Sequence, residues 1–317
     1  MRDHGGNLDR AKAIWGGEDW IDLSTGINRR PWPVPELPPG VWTDLPTQAA
    51  KSALIATAQE AFGTCAPGVA LAGAQQAIQL VPRLVPPGRA RILGPTYNEH
   101  AAALRSAGWR VEEVSCLADL GGAELAIVVN PNNPDGTHHT AEALRALVPG
   151  VGQLVVDESF ADPVPELSVA GAAGEGLIVL RSFGKFWGLA GLRLGFAFAD
   201  AGTVAQFSEM AGPWPVAGPA LEIGRRALAD RDWHAATVAR LSAETARLDA
   251  LAARAGWELI GGTHLFRSYA TPDATAVQDR LARARIWSRI FPWSPTWLRL
   301  GLPGSEMEWA RLERALA

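Results

Sequence analysis

The sequence has little cysteine, and the two cysteines it has are not placed for a disulfide framework or a zinc site. Cys65 and Cys116 form no CxxC pair and stand near no cluster of histidines in the 317 residues. We therefore expect no bound metal. The shortage of cysteine also favours a reducing compartment, and the cytoplasm is the expected location.

Long apolar runs and an excess of charge are missing too. No stretch approaches the roughly 18 uninterrupted apolar residues of a membrane span, and no apolar run follows the charged N-terminus, so neither a membrane helix nor a signal peptide is expected. The formal net charge is −4 and the pI is near 5.9. This balance gives no electrostatic reason to expect a nucleic-acid partner.

From Thr47 onward, the sequence does contain short apolar runs that alternate with helical stretches. Thr47 can cap a helix over residues 49–62. Strands are predicted at 69–72, 90–93, 110–114, 125–129, 154–156, 177–181 and 194–198, with helices at 75–84, 98–107 and 141–147 between them. Apolar strands separated by helices predict an α/β fold with a mainly parallel central sheet covered on both faces. Ligands of such sheets bind at the carboxyl ends of the strands.

Three parts of the chain differ in composition and in the pattern of their predicted helices and strands. Residues 1–46 are rich in Gly, Pro and Trp and are predicted to form an extended arm with little regular structure. Residues 47–211 form the predicted large domain, and residues 212–317 a smaller α+β domain that begins at a Gly-Pro-Trp-Pro segment. In the smaller domain, helices are predicted at 217–228, 234–254, 275–284 and 305–316, and strands at 257–260, 265–269, 285–289 and 297–300.

The segment with the strongest chemical signal is SFGKFWGLAGLRLG, residues 182–195. A lysine that forms an imine must lose its proton, so Lys185 needs a partly desolvated or electropositive setting. Arg193 offers a two-pronged donor to a phosphate, and Ser182 adds a hydroxyl. Taken alone, Lys185 would be interpreted as a surface lysine on a glycine-rich turn, and only the combined pattern of the segment favours the chemical role.

This segment resembles the lysine signature of the fold-type-I, class I and II aminotransferases and their relatives, which use pyridoxal 5′-phosphate (PLP). The resemblance implies their fold, with a smaller α+β domain beside the large PLP-binding domain. It also makes Lys185 the cofactor-binding lysine, with Ser182 and Arg193 on the cofactor phosphate. Relatives are homodimers, so the resemblance implies a homodimer here.

Other segments match the same family in the family's order. NPNNPDG at residues 130–136 resembles its Asn-Pro loop and places Asn133 on the cofactor's 3-oxygen. Asp157 follows an apolar strand and matches the acid that keeps the cofactor's ring nitrogen protonated. Tyr97 matches the aromatic that stacks on the ring. The turn expected to hold the cofactor phosphate at a helix start consists of Gly73, Ala74 and Gln75. In isolation each match also fits a plain turn, a strand-end acid or core packing.

Two positions depart from the family pattern. Phe160 stands where relatives often have a tyrosine that bonds the 3-oxygen, so that contact is absent. Leu45 stands where relatives often place a tyrosine that reaches the neighbouring subunit's cofactor phosphate.

Substrate contacts must decide the reaction. Arg299 matches the arginine that binds a substrate carboxylate, and Arg289 one that binds a substrate phosphate in members similar to histidinol-phosphate aminotransferases. The opening of the chain resembles threonine-phosphate decarboxylases of cobalamin biosynthesis; it consists of His4 with the two glycines and Asn7, and then of Leu23, Ser24, Thr25, Gly26, Ile27 and Asn28.

The resemblance therefore implies decarboxylation of L-threonine O-3-phosphate, a small phosphorylated amino acid. The substrate-binding residues it implies are Arg299, Arg289, His4, Ser24, Thr25, Gly26 and Asn28. Two alternatives stay open at this point. One is aminotransfer on histidinol phosphate or a similar amine, and the other is an inert protein of this fold that serves as a binding module.

Overall fold

Hydrogen-bonding side chains and apolar runs set the limits of the helices and strands in residues 4–317, which are described in a computed structural model. At the start of one helix, the side chain of Thr47 accepts a hydrogen bond from the Ala50 N–H, as its sequence position predicts. The same helix ends at Gly63, whose backbone is left-handed (φ 64°).

Two units divide the chain. The first comprises residues up to Pro31, Pro134–Gly136 and His234–Ala317, and the second comprises Trp32–Asn133 and Thr137–Trp233. The predicted arm, large domain and small domain, with boundaries after residues 46 and 211, stay a prediction. Residues 1–3 of that arm lie outside the described residues.

In chain order, the α-helices of the described residues are α1 (Leu8–Trp15), α2 (Gly40–Thr43), α3 (Gln48–Phe62), α4 (Ala74–Leu80), α5 (Asn98–Ser106), α6 (Ala141–Leu147), α7 (Ala201–Ala211), α8 (Gly218–Ala229), α9 (Arg231–Arg254), α10 (Ala274–Arg283) and α11 (Glu306–Leu316). The strands are β1 (Ile21–Asp22), β2 (Gly68–Leu71), β3 (Arg89–Leu93), β4 (Arg110–Val114), β5 (Leu125–Val129), β6 (Leu154–Asp157), β7 (Leu177–Ser182), β8 (Gly195–Phe198), β9 (Glu258–Thr263), β10 (Phe266–Ala270), β11 (Ile286–Trp287), β12 (Arg289–Phe291) and β13 (Ser294–Gly301).

The second unit is built on a seven-stranded sheet in the order β2-β8-β7-β6-β5-β3-β4. Strands β3 to β7 run parallel, and β8 runs antiparallel to both of its neighbours. The central strands are continuously apolar because both of their faces are covered. Ile127, Val155 and Ile178 pack into one core, whereas Val128, Val156 and Val179 pack into a second. The predicted mainly parallel sheet is confirmed.

The first unit contains a four-stranded antiparallel sheet in the order β12-β13-β10-β9 and a short parallel pair of β1 with β11. A single short strand was predicted at residues 285–289, and that prediction is wrong. The chain leaves the pair with β1 after Trp287 and joins β13 from Arg289, so Ser288 lies between two sheets.

Helix α1 also corrects the prediction of an arm with little regular structure. The side chain of Asn7 caps this helix by accepting from the Arg10 N–H, and Ala11 is buried against Ala282 and Trp287. Within residues 4–317, no helix combines the length and the apolar character needed to cross a bilayer.

Candidate functional site

Strand register brings the predicted cofactor-binding residues to the side of the seven-stranded sheet where the parallel strands have their carboxyl ends, called the sheet edge below. Asp157 ends β6, in register with Val129 of β5 and Leu180 of β7. Ser182 ends β7 and pairs with Gly195, which in turn pairs with Leu71 at the end of β2. The remaining predicted residues of this set follow strand ends at the same edge. Gly73, Tyr97, Asn133, Lys185 and Arg193 lie outside the helices and strands, and Ala74 and Gln75 begin α4.

Asp157 is almost fully buried and well supplied with donors. Its Oδ2 lies 2.9 Å from His100 Nε2, and its Oδ1 accepts from the Ser159 N–H at 3.0 Å and from Ser159 Oγ at 2.5 Å. Burial alone raises the pKa of this carboxyl, but the hydrogen bond and charge of His100, together with Ser159, outweigh it and lower the pKa below its usual range. The carboxylate is thus held ionised inside the protein.

His100 is a site residue that the sequence analysis missed. It lies three residues after Tyr97 at the start of α5, a spacing that places two side chains on one face of a helix. The two rings meet edge to face with centroids 6.3 Å apart. This spacing was the available signal, although only the fold shows that the imidazole reaches Asp157.

The Tyr97 side chain is held by a residue at the start of α4. Its hydroxyl donates to Gln75 Oε1 at 3.3 Å, and Gln75 Nε2 donates to Glu99 at 2.9 Å. The Gln75 side chain therefore fixes the phenol. Its backbone N–H belongs to the first turn of α4, which was the predicted phosphate-binding turn.

Lys185 lies in the turn after β7 and is half-buried. Its Nζ is 5.9 Å from the centroid of the Phe160 ring, the residue that stands where relatives often have a tyrosine. Phe160 is buried, so it forms an apolar wall beside the amine instead of offering it a hydroxyl.

Gly73 and Arg193 converge at the start of α4. Gly73 has a φ of 79°, and a Cβ added there would lie 3.0 Å from Arg193 Nη2. Gly195 must also lack a side chain, because its Cβ would lie 2.3 Å from the Ala74 nitrogen. Among residues 4–317, no side chain caps α4. Backbone N–H groups and a guanidinium therefore meet here, an arrangement that suits an anion.

The loop after β5 is tied to the loop after β3. Asn132 accepts from the Thr96 hydroxyl at 2.6 Å and donates to the Pro95 carbonyl at 3.0 Å. Asn130 accepts from the His139 N–H at 2.8 Å and closes its own loop. These bonds set the positions of Asn133 and Tyr97, which follow in the two loops.

In the first unit, Arg289 of β12 and Arg299 of β13 stand directly opposite each other in register. Like charges in such a cross-strand pair destabilise a sheet. Burial and the positive charge of Arg289 lower the pKa of the Arg299 guanidinium to about 9, against the opposing effect of Asp22. Arg299 is still a cation at neutral pH, and an anion bound beside the pair would offset the repulsion.

Ser24 joins three parts of the first unit. Its hydroxyl donates to Asp22 at 2.6 Å and accepts from the Gly6 N–H at 2.7 Å, and its carbonyl accepts from Arg299 Nη2 at 2.7 Å. A Cβ on Gly5 would lie 2.3 Å from that same carbonyl oxygen. The segment that begins at His4 is therefore held against β13 through Ser24.

Asn28 is positioned by a half-buried charged group. Its Oδ1 accepts from Arg240 Nη2 and from the Arg30 N–H, each at 3.0 Å. Arg240 in turn pairs with Glu244 at 2.8 Å. Arg240 was not among the predicted residues, because no local pattern connects α9 with residue 28.

A cavity of about 790 Å³ lies in the first unit and brings some of the predicted substrate residues together. It is lined by His4, Ser24 and Arg289, and by polar residues that include Arg10, Gln278 and Ser288. Its described lining contains no aspartate or glutamate. Four other predicted residues do not line it: Thr25, Gly26, Asn28 and Arg299.

The sequence profile described as Aminotransferase class I and II matches residues 46–316. The chain belongs to this family. It is 45% identical to a threonine-phosphate decarboxylase of Sinorhizobium sp, with 99% of this chain and 97% of that protein covered. A threonine-phosphate decarboxylase of Pseudomonas aeruginosa is 42% identical, with 100% and 97% covered.

The fold of the family is present as well. The structure of histidinol-phosphate aminotransferase from Sinorhizobium meliloti in complex with pyridoxal-5′-phosphate superposes with a TM-score of 0.84. It covers 100% of this chain and 94% of its own, at 20% identity. The predicted fold class and the predicted family are both confirmed. The segments at residues 73–75, 130–136, 157 and 182–195, which carried the resemblance, all lie within residues 46–316 matched by the profile.

Proposed function

We propose that this chain is a PLP-dependent lyase that decarboxylates L-threonine O-3-phosphate to (R)-1-amino-2-propanol O-phosphate, a step of cobalamin biosynthesis. The observation that carries the proposal is the 42–45% identity to two threonine-phosphate decarboxylases over essentially the whole chain. That similarity includes the first 46 residues, where the decarboxylase-like opening lies.

The residues at the sheet edge fit the cofactor. Gly73 leaves room beside Arg193, and the N–H groups of the first turn of α4 have no capping side chain, so a phosphate can be bound there. Asp157 is a buried carboxylate whose pKa is lowered, which suits a protonated ring nitrogen. Ser182 ends β7, and Lys185, Tyr97 and Asn133 lie in loops at the same edge.

When bound, pyridoxal 5′-phosphate supplies an electron sink for the electron pair that the substrate's Cα keeps as CO₂ leaves. Asp157, supported by His100, holds the proton on the ring nitrogen. Lys185 would hold the cofactor covalently, and its side-chain amine, carrying the proton that the substrate's ammonium group gives up, would deliver a proton to Cα. Phe160 keeps the space beside this amine apolar.

The opposed arginines fit a substrate with two anionic groups. Threonine phosphate carries a carboxylate and a phosphate, whereas histidinol phosphate carries a phosphate and no carboxylate. Arg289 lines the cavity of the first unit and is assigned to the phosphate, with His4. Arg299 is assigned to the carboxylate as a positioning group, because a strong bond to the departing carboxylate stabilises the ground state rather than the transition state.

Two incubations test the function. The purified protein is given threonine phosphate without any 2-oxo acid, and separately histidinol phosphate with 2-oxoglutarate. Release of CO₂ in the first supports decarboxylation. Aminotransfer in the second without CO₂ in the first overturns the proposal in favour of the runner-up activity. If the protein binds the cofactor and becomes coloured but is active in neither incubation, the result favours a binding module.

Assembly and location belong to the proposal too. We infer a homodimer in the cytoplasm, by similarity to the family and from the shortage of cysteine. The Leu45 side chain is 66% exposed. An apolar side chain exposed to this extent is consistent with a surface that a second subunit covers in a dimer. Light scattering at several protein concentrations measures the mass, and a monomer throughout would contradict the dimer.

A further inference from the structure

The hydroxyl of Ser288 is buried without a hydrogen-bond partner among the described residues. Ser288 is 1% exposed, and its Oγ contacts no donor or acceptor of residues 4–317. Buried polar groups are nearly always bonded, because losing water without gaining a partner costs free energy. Ser288 also lines the cavity of the first unit, next to Arg289.

The backbone that carries this hydroxyl is held in place before any ligand binds. Ser288 lies where the chain passes from the pair with β1 to the pair with β13, so strands fix it on both sides. Its carbonyl accepts from Gln278 Nε2 at 2.9 Å, and Gln278 lines the same cavity. A donor fixed in advance loses little entropy when it binds a ligand.

The charge of the cavity indicates what the hydroxyl meets. His4, Arg10 and Arg289 line it, and its described lining contains no acidic residue. An anion is therefore the favoured occupant. A hydroxyl beside these groups adds a neutral donor, which can bond a phosphate oxygen in either of its ionisation states.

We propose that Ser288 donates a hydrogen bond to the phosphate of the substrate in this cavity, and that it helps the protein to select phosphorylated over unphosphorylated threonine. This inference rests on the proposed function. With threonine phosphate the buried hydroxyl gains its missing partner. With threonine it stays unbonded, and sites with unpaired polar groups discriminate strongly against analogues that lack the matching group.

Ser288→Ala tests the assignment, with Ser242→Ala as the matched control. Ser242 is exposed on α9 of the first unit and does not line the cavity. We expect Ser288→Ala to raise KM for threonine phosphate about tenfold, the loss of one hydrogen bond to a charged group, with kcat little changed. The inhibition constant of inorganic phosphate should rise equally, while kcat/KM for unphosphorylated threonine stays the same. Ser242→Ala should change none of these constants.

Two outcomes for Ser288→Ala would overturn the assignment: an equal effect on threonine and threonine phosphate, or no change in KM and in phosphate inhibition. The hydroxyl would then be one that a buried water bonds. The thermal midpoint without ligand reports folding, and Ser288→Cys is the replacement if the alanine variant does not fold, because a thiol is a weak donor of similar size. The proposed function can fail separately. If the wild type does not decarboxylate threonine phosphate, but phosphate raises its thermal midpoint and Ser288→Ala abolishes that rise, the phosphate contact stands.

Discussion

In the second unit the buried acids Asp157 and Glu158 each contact a basic side chain, whereas in the first unit Arg289 and Arg299 face each other across two strands. Glu158 is 2.9 Å from Arg181 and accepts from Ser168 and from the Val169 N–H, each at 2.6 Å. Asp157 is 2.9 Å from His100. The arginine pair repels, and burial adds to the effect on Arg299.

The contrast shows two ways of preparing for a ligand. Paired charges hold their side chains in one geometry before anything binds, which suits residues that must act on a cofactor at fixed positions. Opposed like charges repel each other, so an anion that binds beside both arginines offsets that repulsion.

In the second unit, the adjacent acids Asp157 and Glu158 have pKa values that their surroundings shift in opposite directions. Burial raises the pKa of both carboxyls. For Asp157 the bonds to His100 and Ser159 outweigh burial, but for Glu158 burial prevails over Arg181 and the pKa is raised. Glu158 is enclosed in its own bonds, which gives it a structural role.

The largest expected effect comes from removing the amine at the sheet edge. Lys185→Ala should lower kcat on the order of 10⁴-fold, because both covalent attachment and proton transfer lose their group. The thermal midpoint of the cofactor-free protein should stay the same, since Lys185 lies in a turn. Lys51→Ala is the control, as that lysine bonds only a carbonyl, Pro213, on the surface of the second unit. A Lys185→Ala variant that keeps more than about a tenth of the activity would contradict the assignment.

The strands of the second unit could be predicted from sequence because their burial leaves an unbroken apolar signal. β4, β5 and α6 begin and end as predicted, and the other strands of that sheet agree within two residues. Helix α7 was not predicted. Phe207 is its only fully buried residue within the described chain, so its apolar period is faint, although Asp200 caps it.

Positions of site residues could be predicted, but their partners could not. Asp157 and Lys185 were placed by motifs that follow strands, and the parallel sheet then brings strand ends together. The facing of Arg289 and Arg299 depends on the register of β12 with β13, and the support of Asn28 by Arg240 spans 212 positions along the chain. No local pattern carries such information. The unbonded hydroxyl of Ser288 depends on a change of sheet that the alternation of side chains does not reveal.

A smaller effect is expected from removing one of the two opposed arginines of the first unit. Arg289→Met should raise KM for threonine phosphate about 100-fold, the loss of a charge-assisted bond. Its affinity for inorganic phosphate should fall with it. Steady-state kinetics measures KM, and calorimetric titration measures the affinity for inorganic phosphate. Arg280→Met, on the exposed face of α10, is the control and should alter neither. An Arg289→Met protein with unchanged KM and unchanged phosphate affinity would break the contrast between the two units.

The smallest expected effect concerns the support of Asp157. His100→Asn removes the largest of the groups that lower its pKa and leaves burial, which raises it, so the pKa of Asp157 should rise. A lowered carboxyl pKa gives stability that is present above the unfolded value, about 3.9, and is lost as pH falls through the folded value. The variant should therefore lose stability at a higher pH than the wild type on acidification. The acid limb of kcat should move in the same direction, with kcat at neutral pH about tenfold lower. His138→Asn, at an exposed position of the second unit, is the control. The wild type, His100→Asn and His138→Asn could instead share the same acid limb of kcat and the same acid-unfolding midpoint. In that case Ser159 alone suffices to hold the Asp157 carboxylate ionised, and the pairing of Asp157 with His100 has no part in catalysis.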